Sequence, residues 1–220
     1  MKTSNSFKLL LADDHLLLRD ALANLINTFD EFSVILKAAN GREVIEAIKN
    51  DAKPDILLMD LNMPEIDGYE TARWVVKQHP CIKIAILTMY DTEVAMIRLL
   101  QLGVNGFIKK DIHPSELRKA LLTVSAGEYY YNNDTTLKIA SLFRKKTDGK
   151  LSVENLLLSE TEIEFLKLAA TELTYKEIAG AMGLTPRNID NLRDAMFTKL
   201  EVQSRVGLAV YAVKNGIVTF

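Results

Sequence analysis

The sequence contains only one cysteine, Cys81, and no long apolar run. A single cysteine excludes a framework of internal disulfide bonds and is typical of proteins in a reducing compartment. A membrane-spanning helix needs about 18 consecutive apolar residues, and no segment approaches that length. The net charge of −2 in 220 residues points to no particular partner. We therefore predict a cytoplasmic protein without a membrane partner.

The first half of the chain alternates between two hydrophobic periods. Hydrophobic residues make up 48% of the sequence, so real cores can form. Five short apolar segments rich in branched residues predict buried strands at Phe7–Ala12, Ser33–Ala39, Asp55–Met59, Ile82–Thr88 and Asn105–Lys110. An apolar stripe from Leu18 to Phe29 predicts the first helix. Further amphipathic segments predict helices at residues 42–50, 69–79, 92–102 and 114–126. The alternation predicts an α/β fold with a doubly wound, five-stranded parallel sheet.

The second half has a helical pattern only. Candidate helices span residues 160–171, 175–182, 186–200 and 205–215. Thr185 is a good N-cap and Pro186 suits a first helical turn. A short apolar helix, a tight turn and a second helix with a polar outer face predict a small all-α helix-turn-helix domain. The predicted domains are residues 6–126 and 153–220, joined by a connector, residues 127–152, with one short helix at 136–143.

Several polar residues follow the predicted strands. In an open parallel sheet, ligands bind beyond the carboxyl ends of the strands. The residues delivered there are Asp13, Asp14, Asp60, Thr88 and Lys110. Three carboxylates in one crevice repel each other unless a cation is bound, and oxygen ligands favour a hard metal such as Mg²⁺. Asp60, at the centre, is the candidate nucleophile for an aspartyl-phosphate, with Lys110 and Thr88 as ligands of the phosphoryl oxygens.

Simpler interpretations exist for single residues. Taken alone, Asp13 and Asp14 could cap a helix, because aspartate is favoured at that position.

An aspartyl nucleophile also serves phosphatases of the haloacid dehalogenase type, which carry a second aspartate two residues later. That position is Asn62, which cannot transfer a proton in this way. None of the three histidines has a cysteine or histidine at metal-ligand spacing, so no chemistry is assigned to them.

Taken together, these elements resemble the receiver domain of bacterial two-component response regulators. The resemblance rests on the Asp13–Asp14 pair, MDLNMPEIDG around Asp60, Thr88 and GFIKKD at residues 106–111. It implies that Asp13, Asp14, Asp60 and the backbone carbonyl of Asn62 hold Mg²⁺. It also implies that Asp60 accepts a phosphoryl group from a sensor histidine kinase and that Lys110 pairs with that group. Thr88 and Phe107 would report its presence by rotating together.

Residues 158–218 resemble the LuxR-type DNA-binding domain, so the whole chain is similar to response regulators of the NarL/FixJ type. The resemblance implies that the second helix of the motif enters the major groove of double-stranded DNA and that the last helix supports a homodimer. We expect phosphate contacts from Lys176, Arg193, Lys199 and Arg205, and base contacts from Arg187, Asn188 and Asn191. The sequence departs from the family at Asp190 and Asp194, where basic residues are usual.

We therefore predict a phosphorylation-dependent, DNA-binding transcriptional regulator that forms dimers on DNA when phosphorylated, and not an enzyme. From Leu151 to Phe220 there are 7 Lys and Arg residues against 9 Asp and Glu residues. Because phosphate attraction dominates non-specific affinity, this balance predicts weak, salt-sensitive DNA binding by the monomer. The alternative is a receiver linked to a protein-interaction module that does not bind DNA.

Overall fold

The computed structural model describes residues 6–88, 93–131, 158–215 and 217–218, and of residues 93–95 only the backbone. The chain divides into two compact units, an N-terminal one built around a β-sheet and a C-terminal one made of helices. The predicted short helix at 136–143 and most of the predicted connector lie outside the described residues. In the described part of the chain, no helix is both long enough and apolar enough to span a bilayer.

The sheet of the N-terminal unit is parallel throughout, with the strand order β2-β1-β3-β4-β5-β6. The strands are β1 (Phe7–Ala12), β2 (Phe32–Ala38), β3 (Ile56–Asp60), β4 (Lys83–Thr88), β5 (Gly106–Lys109) and β6 (Tyr130–Tyr131). All residues of β3 are buried, as a continuous apolar run in a central parallel strand predicts. At the sheet edge, β2 exposes Ile35 and Leu36, so the prediction of burial on both faces fails for this strand.

The sixth strand corrects the prediction of a five-stranded sheet. Tyr130 and Tyr131, placed in the connector by the sequence pattern, pair with Gly106 and Phe107 of β5. The Tyr130 backbone N–H donates to the Asn105 carbonyl (2.9 Å). Two residues are too few to show a period of two, so this strand leaves no signal in the sequence. It covers the edge of β5 that the five-strand prediction left open.

Five helices connect the strands: α1 (Leu16–Asn27), α2 (Gly41–Lys49), α3 (Gly68–Gln78), α4 (Glu93–Leu102) and α5 (Pro114–Ser125). Side-chain caps fix the start points of α2 and α3. Asn40 accepts a hydrogen bond from the Glu43 N–H, and Asp67 accepts one from the Glu70 N–H. The apolar faces of α1 and α5 pack on one side of the sheet, where Ile26 and Leu121 are buried against the strands.

The described residues of the C-terminal unit form four helices: α6 (Glu160–Ala169), α7 (Tyr175–Ala181), α8 (Pro186–Lys199) and α9 (Arg205–Lys214). Capping boxes start α6 at Ser159 and α7 at Thr174, and Thr185 caps α8 through the Asn188 N–H. Gly183, in the turn between α7 and α8, has a φ of +64°, which favours glycine. The helices enclose their own core, with these residues fully buried: Phe165, Leu166, Ile178, Ile189, Met196 and Leu208.

Candidate functional site

The carboxyl ends of β1 and β3 lie side by side and bring two buried aspartates together. Ala12 pairs with Met59, so the next residues along the two strands, Asp13 and Asp60, are neighbours. Asp13 is fully buried and Asp60 is 4% exposed. Two buried carboxylates are strongly unfavourable without a compensating cation.

Lys110, which directly follows β5, supplies positive charge between the two acids. Its Nζ donates a hydrogen bond to Asp60 Oδ2 (2.8 Å) and lies 2.8 Å from Asp13 Oδ2. The contact with Asp13 is a buried ion pair. The Lys110 backbone N–H donates to the Thr88 carbonyl (3.1 Å), which fixes the residue beside β4. The structure therefore brings together three of the residues that the sequence placed at the strand ends.

Burial and charge act in opposite directions on this group. Burial raises the pKa of Asp60, and the hydrogen bond from Lys110 offsets the effect only in part, so the pKa lies above its ordinary value. Burial lowers the pKa of Lys110, but its interactions with Asp13 and Asp60 outweigh burial and raise the pKa. Burial is thus the main cause of the raised Asp60 pKa, whereas the Lys110 pKa is raised because one ammonium group contacts two carboxylates. The cluster is short of positive charge.

The loop after β3 holds Asp60 rigidly. Asp60 Oδ1 accepts a hydrogen bond from the Leu61 N–H (2.7 Å), and the Gly68 N–H donates to the Leu61 carbonyl (2.8 Å). A Cβ on Gly68 would lie 2.4 Å from the Asp60 carbonyl oxygen, so only glycine lets the start of α3 approach this closely. A backbone hydrogen bond involving Asn62 also acts to lower the pKa of Asp60. The predicted ligand role of the Asn62 carbonyl stays a prediction.

Asp14 and His15 complete a group that could hold a metal ion. One ligand atom from each of four residues, Asp13, Asp14, His15 and Asp60, lies within 4.8 Å of the others. The donor set fits a divalent cation, because three carboxylates face the one ammonium group of Lys110. Asp13 Oδ2 is also buried without a hydrogen-bond partner. Sequence reasoning missed His15, although its place directly after two acids was an available signal.

Thr88 and Phe107 lie on β4 and β5, the two strands that follow β3 in the sheet. Asp60 pairs with Leu87, so Thr88 is one residue beyond it at the end of β4. Thr88 is 5% exposed and Phe107 is 4% exposed. The Phe107 ring packs against Tyr131 of β6, with ring centroids 5.9 Å apart. The joint rotation of Thr88 and Phe107 stays a prediction.

The C-terminal unit presents the outer face of α8. Ile189 and Met196 are buried in the helical core. The opposite face carries polar residues that are all exposed: Arg187, Asn188, Asp190, Asn191, Asp194 and Thr198. Lys176, at the start of α7, is exposed as well. Four residues predicted to contact DNA, namely Lys176, Arg187, Asn188 and Asn191, are therefore accessible in this unit.

The other three predicted DNA-contacting residues bond within the unit. Arg193 lies 2.9 Å from Asp190 Oδ1 and 2.9 Å from Asp194 Oδ1. Lys199 Nζ donates to both carboxylate oxygens of Glu162 on α6 (2.8 and 2.9 Å).

Arg205 donates to the backbone carbonyls of Ala169 (3.0 Å) and Thr171 (2.6 Å). Together with Arg193 it flanks the Tyr175 ring at 5.4 and 5.3 Å from the centroid. Arg193, Lys199 and Arg205 thus tie the helices of the C-terminal unit to one another.

Two family models match the chain. Residues 9–122 match the response regulator receiver domain, and residues 156–212 match the luxR family of bacterial regulatory proteins. The transcriptional regulatory protein LnrK of Bacillus subtilis is 31% identical over 97% of this chain and 99% of its own length. The response regulator protein VraR of Staphylococcus aureus is 29% identical over 97% of this chain and 99% of its own length.

Solved structures agree on the fold. RcsB from Salmonella enterica serovar Typhimurium, bound to promoter rprA in the presence of phosphomimetic BeF3⁻, has a TM-score of 0.68 and 22% identity. The match covers 94% of this chain and 98% of that one. The strand-end cluster, the helix-turn-helix unit and both family matches agree. The chain therefore belongs to the two-component response regulators of the NarL/FixJ type, in which a receiver domain precedes a luxR-type DNA-binding domain.

Proposed function

We propose that Asp60 is the residue that accepts the phosphoryl group from the sensor histidine kinase. The observation that carries this proposal is the hydrogen bond between the buried Asp60 carboxylate and Lys110 (2.8 Å). An Asp60 oxygen attacks phosphorus, the P–O bond forms, and the P–N bond to the kinase imidazole breaks. Lys110 then faces the transferred phosphoryl oxygens, whose negative charge it stabilises.

The metal of this site is Mg²⁺ in our proposal, held by Asp13, Asp14, Asp60 and the Asn62 carbonyl. When bound, it neutralises phosphoryl charge and offsets the repulsion among the carboxylates. The protein is a phosphoryl acceptor rather than an enzyme that turns over substrate. Asn62, two residues after Asp60, is not the acid–base group that a phosphatase of the haloacid dehalogenase type requires there.

Phosphorylation is read out, in this proposal, by Thr88 and Phe107. Both are buried beside the acceptor, so a change in either requires neighbouring side chains to move. The functional units are residues 6–126 as receiver, 127–152 as connector and 153–220 as DNA-binding domain. The pairing of β6 with β5 attaches the start of the connector to the strand that contains Phe107.

DNA recognition is assigned to α8, whose outer face is accessible. RcsB, which shares the fold, has been solved on promoter DNA. Arg187, Asn188 and Asn191 are placed to contact bases and Lys176 to contact phosphate. Arg193, Lys199 and Arg205 act mainly by holding the domain together, because each bonds to neighbouring groups.

The phosphorylated protein acts as a homodimer in this proposal. Helix α9 exposes three valines on one face, Val206, Val210 and Val213, at 70%, 46% and 38% exposure. Their spacing of four and three residues forms an apolar stripe. Such a stripe suits the dimer contact that the resemblance assigns to the last helix.

Phosphorylation at Asp60 is tested with acetyl phosphate as a small donor. Wild-type protein should gain one phosphoryl group, detected by intact-protein mass spectrometry, and Asp60→Asn should gain none. Asp51→Asn, which changes an exposed aspartate, is the control and should be labelled like the wild type. Labelling of Asp60→Asn at the wild-type level would refute the assignment.

The second candidate function is the protein-interaction module without DNA binding. Asp190 and Asp194 favour it, because they neutralise Arg193 on the face that would meet DNA. Gel-shift titrations at several salt concentrations distinguish the two functions. Phosphorylated protein should shift a subset of genomic fragments, with affinity falling as salt rises. Absence of a shift on every fragment would favour the interaction module.

A further inference from the structure

His15 is the N-cap residue of α1, but its side chain does not cap the helix. Its imidazole turns toward the acidic cluster instead. His15 Nδ1 lies 2.8 Å from Asp14 Oδ1 and 3.1 Å from Asp13 Oδ1. The backbone N–H of the same residue donates to Asp13 Oδ1 (2.9 Å). The ring is therefore held beside two carboxylates by its own backbone.

These distances match the spacing of neighbouring ligands around one octahedral ion. Donors that lie about 2.1 Å from an ion and at right angles to each other are about 3 Å apart. His15 Nδ1 thus has, to the Oδ1 atom of each of the two aspartates, the separation expected for neighbouring ligands of one ion.

Lys110 does not compete for the same atoms. It engages the Oδ2 atoms of Asp13 and Asp60, so Asp13 Oδ1 is left on the side of His15. The His15 side chain is 68% exposed, which leaves its outer nitrogen open to water. In the structure His15 Nδ1 hydrogen-bonds with Asp13 Oδ1 (3.1 Å). To bind an ion, the ring keeps its proton on the hydrated Nε2, and coordination by the Nδ1 lone pair replaces this hydrogen bond.

We propose that His15 Nδ1 is a direct metal ligand of the receiver and gives the site a preference for imidazole-binding transition metals. The proposal rests on the metal site proposed above and names a further residue for it. Carboxylate oxygens suit Mg²⁺ and Mn²⁺, whereas an added imidazole nitrogen favours ions such as Ni²⁺. The site therefore takes Mg²⁺ through its oxygens and binds Ni²⁺ more tightly through His15.

The direct test uses Cu²⁺, a paramagnetic ion that imidazole suits, as a spin probe on the full-length protein. Electron spin-echo spectra should show a nitrogen coupling, which changes when the histidines are labelled with ¹⁵N. The coupling should disappear in His15→Gln. It should persist in His79→Gln, because His79 ends α3 and packs beside Trp74 (ring centroids 5.3 Å apart). A coupling that survives in His15→Gln would overturn the proposal.

Affinity gives a second measurement. His15→Gln should weaken Ni²⁺ binding about tenfold or more, because a ligand is lost. Mg²⁺ affinity should change by less than about threefold, because its ligands are oxygens. Equal losses for both ions would show that the histidine only supports the fold of the site and would overturn the proposal.

The two proposals fail separately. If Cu²⁺ binds and Asp14→Asn abolishes binding, but no nitrogen coupling is seen, His15 is not a ligand and the Asp60 assignment stands. If no divalent ion binds the wild-type protein and acetyl phosphate does not label Asp60, both proposals fail.

Discussion

The two units of the chain treat polar groups in opposite ways. Seven polar or charged side chains are buried in the described residues, and all lie in the N-terminal unit: Asp13, Asn40, Asp60, Thr71, Thr88, Arg98 and Asn105. The described part of the C-terminal unit buries apolar side chains only. Its ionic groups, such as Lys199 and Glu162, are at least partly exposed.

The difference follows from what each unit does. Burial of a charge costs several kcal/mol, so a fold keeps buried charges only where they are paired or needed. Asn40 and Asn105 are needed for structure, since Asn40 caps α2 and Asn105 accepts from the Ile84 N–H (3.0 Å). In the proposed function, Asp13 and Asp60 hold the metal ion, and Asp60 accepts the phosphoryl group. Recognition of DNA needs accessible groups, which the apolar core of the C-terminal unit supports from beneath.

The largest expected effect is on the apolar core. Phe165→Ala should lower the free energy of unfolding of the C-terminal unit by about 4 kcal/mol, because a fully buried ring leaves a cavity. Calorimetry of the full chain should show this unit's transition shifted down, while phosphoryl uptake at Asp60 is unchanged. Loss of uptake in this variant would mean that the two units do not fold separately.

Removal of the central cation should have a smaller but specific effect. Lys110→Met leaves Asp13 and Asp60 without a protein cation and should destabilise the N-terminal unit by about 3 kcal/mol. Added Mg²⁺ should recover part of the loss, because it neutralises the same carboxylates. Lys119→Met removes an exposed lysine and is the control. Equal stability of the two variants without Mg²⁺ would contradict the ion-pair description.

The ion pair between α6 and α8 should matter less. Partial burial raises the pKa of Glu162, but hydrogen bonds from Lys199 and Ser159 outweigh burial and hold the pKa below its ordinary value of 4.5. The unfolded chain therefore binds the proton more tightly. The ionised Glu162 carboxylate therefore stabilises the folded unit above pH 4.5. This contribution is lost as the pH falls through the folded-state pKa of Glu162.

Glu162→Gln should therefore destabilise the C-terminal unit by about 1 kcal/mol at pH 7 and by less in acid. Thermal melts from pH 7 down to pH 3 would measure the difference. Glu164→Gln, an exposed neighbour on α6, should show no such pH dependence. A deficit that stays constant with pH would show that Glu162 acts through packing instead of charge.

The smallest effect on stability is expected on the outer face of α8. The double change Asp190→Asn and Asp194→Asn removes exposed ion pairs and should alter stability by less than about 0.5 kcal/mol. DNA affinity should nevertheless rise severalfold, because two exposed negative charges leave the surface that is proposed to face DNA. Gel-shift titrations would measure the change in DNA affinity, with Glu172→Gln as the control. Unchanged affinity would place this face away from DNA.

Local patterns in the sequence determined the elements of both units. Strands β1 to β5 and helices α2 to α9 lie within two residues of their predicted bounds, because apolar periodicity and cap residues act over one or two turns. The meeting of Asp13, Asp60 and Lys110 also followed from the sequence, because the carboxyl ends of parallel strands share one edge of the sheet.

The tertiary structure alone decided which strand edges and side chains come into contact. Strand β6 exists because β5 offers it an open edge. Lys199 pairs with Glu162, 37 residues away, because two helices pack together. Hydrophobic periodicity predicts which side of a helix or strand is buried. It does not predict which other surface packs on that side. The packing partner determines whether a charged residue binds a ligand or stabilises the fold.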